Sequence, residues 1–292
     1  MRVTSQQLNH GSSLVLPARL RGADGDETLI AVLGGGRGCV LKAEEPLAGI
    51  WIPLRGRLQC GSNAESGIVG GELRVTEAEP NLHASGRGGA LWVALLGTRD
   101  AWRQALAEFT DLPPSDPALL PAIHPASRAL RRRAALLARC IARGAADLPL
   151  EAVLDQVLAL QRHLAGAIAR CPGRTYAQRR QVFLRLQRVR NYLAANCHLD
   201  LDNDALARMA SYSPWHFIRA FRAAYQETPH AFLVNERLRR ARRLLRSSPL
   251  AIAEIALASG FENRCAFSRL FRQRFGTTAG AVRRNEFGSH AR

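Results

Sequence analysis

Two copies of one short pattern lie in the last third of this chain, fifty residues apart. The first copy reads LARMASYSPWHFIRAFRAAY from Leu206, and the second reads IALASGFENRCAFSRLFRQRF from Ile255. Each copy predicts a short apolar helix, a tight turn and a second helix with one aromatic and one arginine-rich side. This is the pattern of a helix-turn-helix, which lays its second helix in the major groove of DNA. The repeated positions are Phe217/Phe267, Arg219/Arg269, Phe221/Phe271 and Arg222/Arg272.

Positive charge is concentrated in the same region. The chain of 292 residues carries +17, and residues 174–292 hold 22 arginines against eight acidic residues, a net +14. Such an asymmetry predicts a polyanionic partner, most simply nucleic acid. A membrane surface is the alternative, but the N-terminal stretch MRVTSQQLNHGSS is polar and no long apolar span occurs. We therefore predict no membrane association.

The cysteines indicate a reducing compartment. None forms a C-x-x-C pair, so neither a zinc site nor a disulfide framework is predicted. We expect a cytoplasmic, nucleoid-associated protein without metal or other cofactor. The six cysteines are Cys39, Cys60, Cys140, Cys171, Cys197 and Cys265.

The overall pattern predicts an α+β chain of two domains. Short apolar segments separated by glycines in residues 1–115 predict a small β-barrel or sandwich. Residues 116–173 contain two amphipathic helices, Ser127–Arg143 and Leu150–Arg170, which predict a helical hairpin. The apolar side of this hairpin either packs on the barrel of its own chain or forms a dimer interface, and both alternatives stay open.

Residues 174–292 predict an all-α domain. Its first helix is Tyr176–Asn196, and the two helix-turn-helix units occupy residues 202–225 and 251–275. The helix that connects them, Pro229–Arg246, would be roughly 27 Å long at 1.5 Å per residue. This length is close to the separation of about 34 Å between successive major grooves. The spacing therefore favours contact with two adjacent groove segments of one duplex.

Three motifs resemble the AraC/XylS family of transcriptional regulators. They read SPWHFIRAFR, PHAFLVNERLRRARRLL and IAEIALASGFENRCAFSRLFRQRFG, and the resemblance covers about residues 178–285. It implies seven helices with one stiff helix between the two units, promoter DNA as the partner, and activation by contact with RNA polymerase. It also implies a cupin-like front barrel that binds a small-molecule effector and forms a homodimer.

The resemblance also implies roles for individual side chains of the two second helices. An arginine at the start of such a helix can bond a guanine edge with two hydrogen bonds. Phosphate contacts are expected from Arg222, Arg272 and the helix starts at Ser213 and Asn263. The positions that correspond to base contacts are Trp215, Ile218, Arg219, Arg264, Cys265, Ser268 and Arg269.

This chain departs from the family pattern at two turns of the first unit. Ser211 and Gln226 stand where glycine is usual, and a non-glycine residue in a left-handed conformation costs roughly 1 kcal/mol. We therefore expect the first unit to be the less stable one. Beyond the second unit, Ala279 replaces a frequent proline.

An effector site is expected in the concave, mostly apolar interior of the barrel. Candidate residues are Trp51, Arg55, His83 and Trp92, each of which has packing or surface exposure as its alternative. Residues 1–115 contain only His10 and His83 as histidines, too few for a metal-dependent barrel enzyme. The chain is therefore not expected to be an enzyme. Two alternatives stay open: a front domain that is only structural or protein-binding, and a cupin-type enzyme fused to a DNA-binding domain.

Overall fold

The computed structural model describes residues 3–16, 28–61, 67–107 and 119–288. The chain divides into two compact units, residues 1–166 and 167–292. A sheet and helices form the first unit, and the described residues of the second unit form helices and their connections. The chain is therefore α+β, as predicted.

The described strands belong to the first unit and form one sheet. They are β1 (Val3–Leu8), β2 (Ser13–Leu16), β3 (Leu29–Gly35), β4 (Val40–Ala43), β5 (Leu47–Gly61), β6 (Gly67–Val69), β7 (Glu72–Glu79), β8 (His83–Gly97) and β9 (Ala122–Pro125). The main path of the sheet is β1-β3-β8-β5-β7-β9. Outside this path, β4 pairs with β8 and β2, and β6 pairs with β5. The long strands β5 and β8 are antiparallel, with Ile50 opposite Leu95, whereas β1 runs parallel to β3.

Side chains on both faces of the two long strands are buried. On β5, Ile50 and Ile52 belong to a core shared with helices, whereas Trp51 belongs to a second core on the other face. The sequence of β5 alternates Ile50 and Ile52 with Trp51, as in a half-buried strand, but Trp51 is buried rather than solvent-facing. A strand covered on both faces keeps its alternation of side chains but loses the alternation of polarity.

Three helices of the first unit cover one face of the sheet. They are α1 (Arg99–Ala107), α2 (Arg128–Ala142) and α3 (Glu151–Arg170), whose last residues extend into the second unit. The predicted apolar stripes of α2 and α3, which include Leu137 and Val153, are buried in the core that contains Ile50. These stripes therefore pack on the sheet of their own chain. An interface between two chains stays a prediction, and it would have to use other surfaces.

Helices α4 to α10 follow in the second unit. They are α4 (Tyr176–Ala195), α5 (Asn203–Met209), α6 (Pro214–Tyr225), α7 (Pro229–Ser247), α8 (Ile252–Ala258), α9 (Arg264–Phe275) and α10 (Ala279–Gly288). Thr175 begins α4 with a capping box, in which its side chain and that of Gln178 satisfy each other's backbone N–H groups. The predicted connector is α7, and α5–α6 and α8–α9 are the two helix pairs.

Candidate nucleic-acid interface

The two helix pairs close their turns with equivalent hydrogen bonds. In the first turn the Tyr212 N–H donates to the Ala207 carbonyl at 2.9 Å, and in the second the Phe261 N–H donates to the Ala256 carbonyl at 3.0 Å. A left-handed residue lies just before each donor, Ser211 with φ 58° and Gly260 with φ 89°. The second turn has one more residue than the first, because Glu262 lies between Phe261 and the next helix cap.

A polar residue precedes each second helix, but the two caps differ. The Asn263 side chain accepts hydrogen bonds from the backbone N–H groups of Cys265 and Ala266, which confirms it as an N-cap. Ser213 has the extended backbone of an N-cap and is followed by Pro214, yet its hydroxyl makes no capping hydrogen bond. Instead, the Ser213 hydroxyl lies 2.7 Å from Nδ1 of His216. The start of α6 therefore retains backbone N–H groups that no side chain of the cap satisfies.

The phenylalanines of the repeated pattern form the cores of the two pairs. Phe217 and Phe221 on α6 and Phe267 and Phe271 on α9 are wholly buried. In each helix the two rings pack at centroid distances of 5.8 Å and 5.4 Å respectively. These four rings are therefore core rather than contact residues. Their burial fixes which side of each helix faces outward.

The outward side of α6 carries one exposed strip. Trp215, Ile218, Arg219 and Arg222 follow the i, i+3, i+4, i+7 spacing of a single helix face. Trp215 is 62% exposed, and the guanidinium carbon of Arg219 lies 5.3 Å from its ring centroid. Stacking on a ring restricts the orientation of a guanidinium group and leaves its N–H groups available. Such a group is suited to planar hydrogen-bonding partners.

The same strip recurs on α9. Cys265, Ser268, Arg269 and Arg272 occupy the positions fifty residues after those of α6, and all four are exposed, as is Arg264 at the helix start. The second strip has a thiol and a hydroxyl where the first has an indole and a branched alkyl group. The two surfaces therefore share an arginine framework but differ in the groups between the arginines.

Several arginines of this unit have structural rather than surface roles. Arg170 donates two hydrogen bonds to the Ala224 carbonyl at the end of α6, at 3.2 and 2.9 Å. Arg237 donates to the carbonyls of Cys197 and Leu199, and Arg240 donates to the Ala258 carbonyl at the end of α8. These guanidinium groups satisfy backbone acceptors left over at helix ends. Arg237 and Arg240 belong to the 22 arginines counted in the basic region, so not every one of those charges is available to a polyanion.

Behind α6, Tyr225 is held in a buried polar contact. Its hydroxyl donates to the Gln187 side chain on α4 at 2.7 Å, and the guanidinium of Arg190 stacks over its ring. Burial raises the pKa of Tyr225 far above the usual value, although the charge of Arg190 opposes this change. The phenol is therefore neutral and acts as a donor that fixes α6 to α4.

In the sheet unit, the four candidate effector residues do not converge on one cavity. Trp51 and Trp92 pack together with ring centroids 6.0 Å apart, and both are wholly buried in the core. Arg55 is exposed beside Gly89 in the middle of β8, and His83 lies partly buried at the start of that strand. The structure therefore joins two of the four, as packing partners, and separates the other two.

A cleft elsewhere on this unit combines apolar and arginine side chains. Leu33, Leu54 and Leu91 of the sheet form its apolar wall, and Arg132 and Arg139 of α2 lie at its opposite side beside alanines. Sequence reasoning did not include these residues. The signal that could have found them is the spacing of Arg132, Ala135 and Arg139 along one line of α2, next to its buried stripe.

Among residues 3–16, 28–61, 67–107 and 119–288, no group of histidine, cysteine and acidic side chains is arranged to hold a metal ion. No helix within those ranges is long and apolar enough to span a membrane.

Comparison with known proteins places the similarity in the second unit. A family of helix-turn-helix domains matches residues 206–285. The HTH-type transcriptional regulator GlxA of Rhizobium meliloti (strain 1021) is 47% identical over 85 residues, which is 29% of this chain and 26% of that protein. The regulatory protein SoxS of Escherichia coli (strain K12) is 34% identical over 83 residues, which is 28% of this chain and 78% of SoxS.

A solved structure covers the same region. The DNA-binding domain of the global transcriptional factor AdpA, crystallised with a target DNA, is 28% identical to this chain. The match covers 36% of this chain and 95% of that domain, with a TM-score of 0.34. This chain spans only about a quarter of the length of GlxA but most of the length of SoxS.

Proposed function

Because this chain belongs to the AraC/XylS family of transcriptional regulators, we propose that it binds promoter DNA through both helix pairs and thereby regulates transcription. The observation that carries this proposal is the pair of exposed strips on α6 and α9, in which arginines recur at equivalent positions fifty residues apart. The connector α7 has 19 residues and is about 28 Å long, so it can place the two strips near successive major grooves.

The N-terminal parts of α6 and α9 supply the proposed base contacts. Residues in the first two turns of a recognition helix reach base edges, whereas residues beyond those turns reach the backbone. Arg219 and Arg269 are suited to the O6 and N7 of guanine, and Arg264 extends from the first turn of α9. The remaining proposed base contacts are Trp215, Ile218, Cys265 and Ser268.

Phosphate contacts are proposed for the flanks of the two strips. Arg222 and Arg272 lie one helical turn beyond Ile218 and Ser268 and are exposed. The oxygen of the Asn263 side chain is engaged by the cap of α9, so its amide NH₂ group remains as the donor to a phosphate. At Ser213, unsatisfied backbone N–H groups of the helix start are the donors that favour an anion.

Gel-shift titration with a duplex selected from a random-sequence pool tests these roles. Arg264→Ala should relax preference at one base pair, by about 1–3 kcal/mol of discrimination. Arg272→Ala should weaken binding to all sequences alike and reduce the slope of log K against log salt by about 0.9. Unchanged binding by both variants, with wild-type folding, would contradict these assignments.

For the sheet unit we propose a cupin-like sensor that binds a small anionic effector. The supporting feature is the cleft between the leucines of β3, β5 and β8 and the arginines of α2, which combines an apolar wall with positive charge. We favour this cleft over the core around Trp51 and Trp92, because both indole rings are wholly buried by packing. The effector would shift the population of protein arrangements, and so alter DNA binding.

Thermal unfolding with a panel of aromatic and aliphatic carboxylates tests the sensor proposal. A ligand at about 100 times its Kd should stabilise the folded protein by about 2.7 kcal/mol. Replacement of Arg132 and Arg139 by Ala should abolish that gain. If no carboxylate raises the Tm, the alternative of a purely structural or protein-binding front unit is favoured.

We further propose that the chain acts as a homodimeric activator that contacts RNA polymerase, as its family implies. Sedimentation of the full chain tests the dimer, and transcription in vitro from a template containing the selected site tests the activation. A monomer at micromolar concentration, or a transcript level lowered by the protein, would refute the respective part.

A further inference from the structure

The C-terminal half of α7 carries a row of arginines that the two DNA-contacting strips do not include. Arg239, Arg242, Arg243 and Arg246 follow the i, i+3, i+4, i+7 spacing of one helix face, and all four are exposed. With Arg274 and Phe275 from the end of α9 they line one surface groove. We refer to the five arginines as the arginine stripe.

The stripe carries a net positive charge. Glu236 forms an ion pair with Arg239, and none of the residues that line the groove is acidic. The guanidinium carbon of Arg242 lies 4.9 Å from the centroid of the Phe275 ring, so this side chain is held against the groove wall. Five guanidinium groups on two adjoining helices produce a positive electrostatic potential at the groove. The groove is therefore suited to an anionic partner.

The stripe lies away from the DNA-contacting face of α9. Arg274 follows Cys265 by nine residues, which is about 2.5 helical turns, so the two side chains point to opposite sides of the helix. Arg274 and Phe275 are also at the C-terminal end of α9, whereas recognition helices contact bases with their N-terminal part. The part of the stripe that α9 contributes therefore lies opposite the proposed base contacts of that helix.

We propose that the arginine stripe binds the phosphate backbone of a second DNA segment, distinct from the segment held by α6 and α9. This inference rests on the proposed function, because DNA bound at the recognition helices raises the local concentration of further DNA. Arginine binds phosphate through two parallel N–H groups, which suits a row of guanidiniums to a row of phosphates.

The dimensions of the stripe fit a DNA strand. Arg239 to Arg246 spans seven residues, about 10 Å along α7. One strand of B-DNA carries a phosphate for about every 3.4 Å of helix axis, so this length matches about three phosphates. A protein with such a stripe holds two DNA segments together, either two molecules or two parts of one bent molecule.

The test is a two-duplex capture assay with the full chain. A short duplex limited to the selected site is immobilised and saturated with protein, and a labelled duplex of unrelated sequence is then added over a range of salt concentrations. The wild-type protein should retain the labelled duplex. The triple variant R242Q/R243Q/R246Q, at equal occupancy of the immobilised duplex, should retain at least about tenfold less. Its salt slope should be smaller by about 2.7, or about 0.9 for each charge removed.

Two control variants accompany the measurement. R242K/R243K/R246K keeps the three charges and should retain most of the labelled duplex. R128Q/R131Q/R143Q removes three exposed arginines from α2 and its C-cap, and it should behave as wild type. Thermal unfolding of all variants checks that they are folded.

Three outcomes would overturn the inference. The wild type could capture no labelled duplex, in which case an acidic protein surface becomes the better partner for the stripe. The glutamine variant could capture as much as the wild type, which would place the second contact elsewhere. It could instead lose the immobilised duplex, which would make the stripe part of the primary interface. Failure of the proposed function is distinguishable from all three, because no duplex would then be enriched from the random pool.

Discussion

The left-handed residues that end the two recognition helices give a matched test of backbone strain. Gln226 ends α6 with φ 60°, and Gly276 ends α9 with φ 68°. Both make the same backbone hydrogen bond, from their N–H to the carbonyl of Arg222 at 2.9 Å and of Arg272 at 2.8 Å. The two sites therefore differ in side chain and share the backbone conformation. We predict that Gln226→Gly and Gly276→Ala change stability in opposite directions.

The magnitudes follow from three terms. A non-glycine residue in the left-handed region costs about 1–2 kcal/mol. Glycine also raises the entropy of the unfolded chain, which offsets about 0.4–1 kcal/mol of that difference. A Cβ at Gly276 would meet no atom within 4 Å, so Gly276→Ala should destabilise by about 0.5–1 kcal/mol from strain alone.

Gln226→Gly should stabilise by a smaller amount than Gly276→Ala destabilises. The Gln226 side chain donates to the Ala223 carbonyl at 2.9 Å, and this exposed hydrogen bond would be lost. We therefore expect a gain of up to about 0.5–1 kcal/mol, reduced by the lost contact. Gly260→Ala serves as a third variant. The backbone at Gly260 has φ 89°, and a Cβ there would lie 3.0 Å from the Cys197 carbonyl oxygen. Gly260→Ala should therefore lower the free energy of unfolding by more than Gly276→Ala does.

Urea unfolding followed by far-UV circular dichroism measures these differences, with equal m-values as the condition for comparing them. The reasoning is refuted if Gly276→Ala is as stable as the wild type, or if Gln226→Gly is clearly less stable. The expectation that the first unit is the less stable one rests on the same strain, at Gln226 and Ser211.

Three further predictions concern buried and exposed polar groups. Tyr225→Phe should lower the free energy of unfolding by about 1–3 kcal/mol because the Gln187 side chain loses its buried donor, and a wild-type value in urea unfolding would contradict this contact. Cys265 is the exposed cysteine on the face of α9 that we propose contacts DNA, so a selected duplex should slow its alkylation; equal rates with and without DNA would count against that face. Burial raises the pKa of Cys171 to about 11, whereas the thiol of the unfolded chain ionises near its usual value of 9.0. Between about pH 9 and 11 the unfolded chain therefore loses this proton more readily than the folded protein. The contribution of Cys171 to stability should be present below about pH 9 and decline over that range. A Cys171→Ala variant should show a weaker decline in urea unfolding over that range, and an identical decline would show that other groups cause it.

The sequence predicted the helix pairs well because their signals are short-range. Phe217 and Phe221 are four residues apart, so one helical turn determines that both face the same core. Asn263 and Pro214 identify helix starts for equally local reasons, and Ser211 and Gln226 take the conformations that their glycine-like positions implied. These features need no knowledge of the rest of the chain.

The roles of individual arginines could not be predicted in the same way. Arg170 bonds a carbonyl 54 residues away, and Arg237 bonds one 40 residues away, so their roles depend on tertiary contacts. The burial of Trp51 could not be predicted either, because the alternation of side chains along β5 does not reveal that both faces of the sheet are covered. The predicted effector residues therefore included two side chains that pack in a core.

Guanine methylation interference on the selected duplex tests most directly whether the two strips contact one DNA molecule. At saturating protein, the wild type should show interference in two major-groove segments whose centres are about 10 base pairs apart. Arg219→Ala should lose only the first segment and Arg269→Ala only the second. A single segment in the wild type, or the same pattern in both variants, would contradict the account of paired recognition helices.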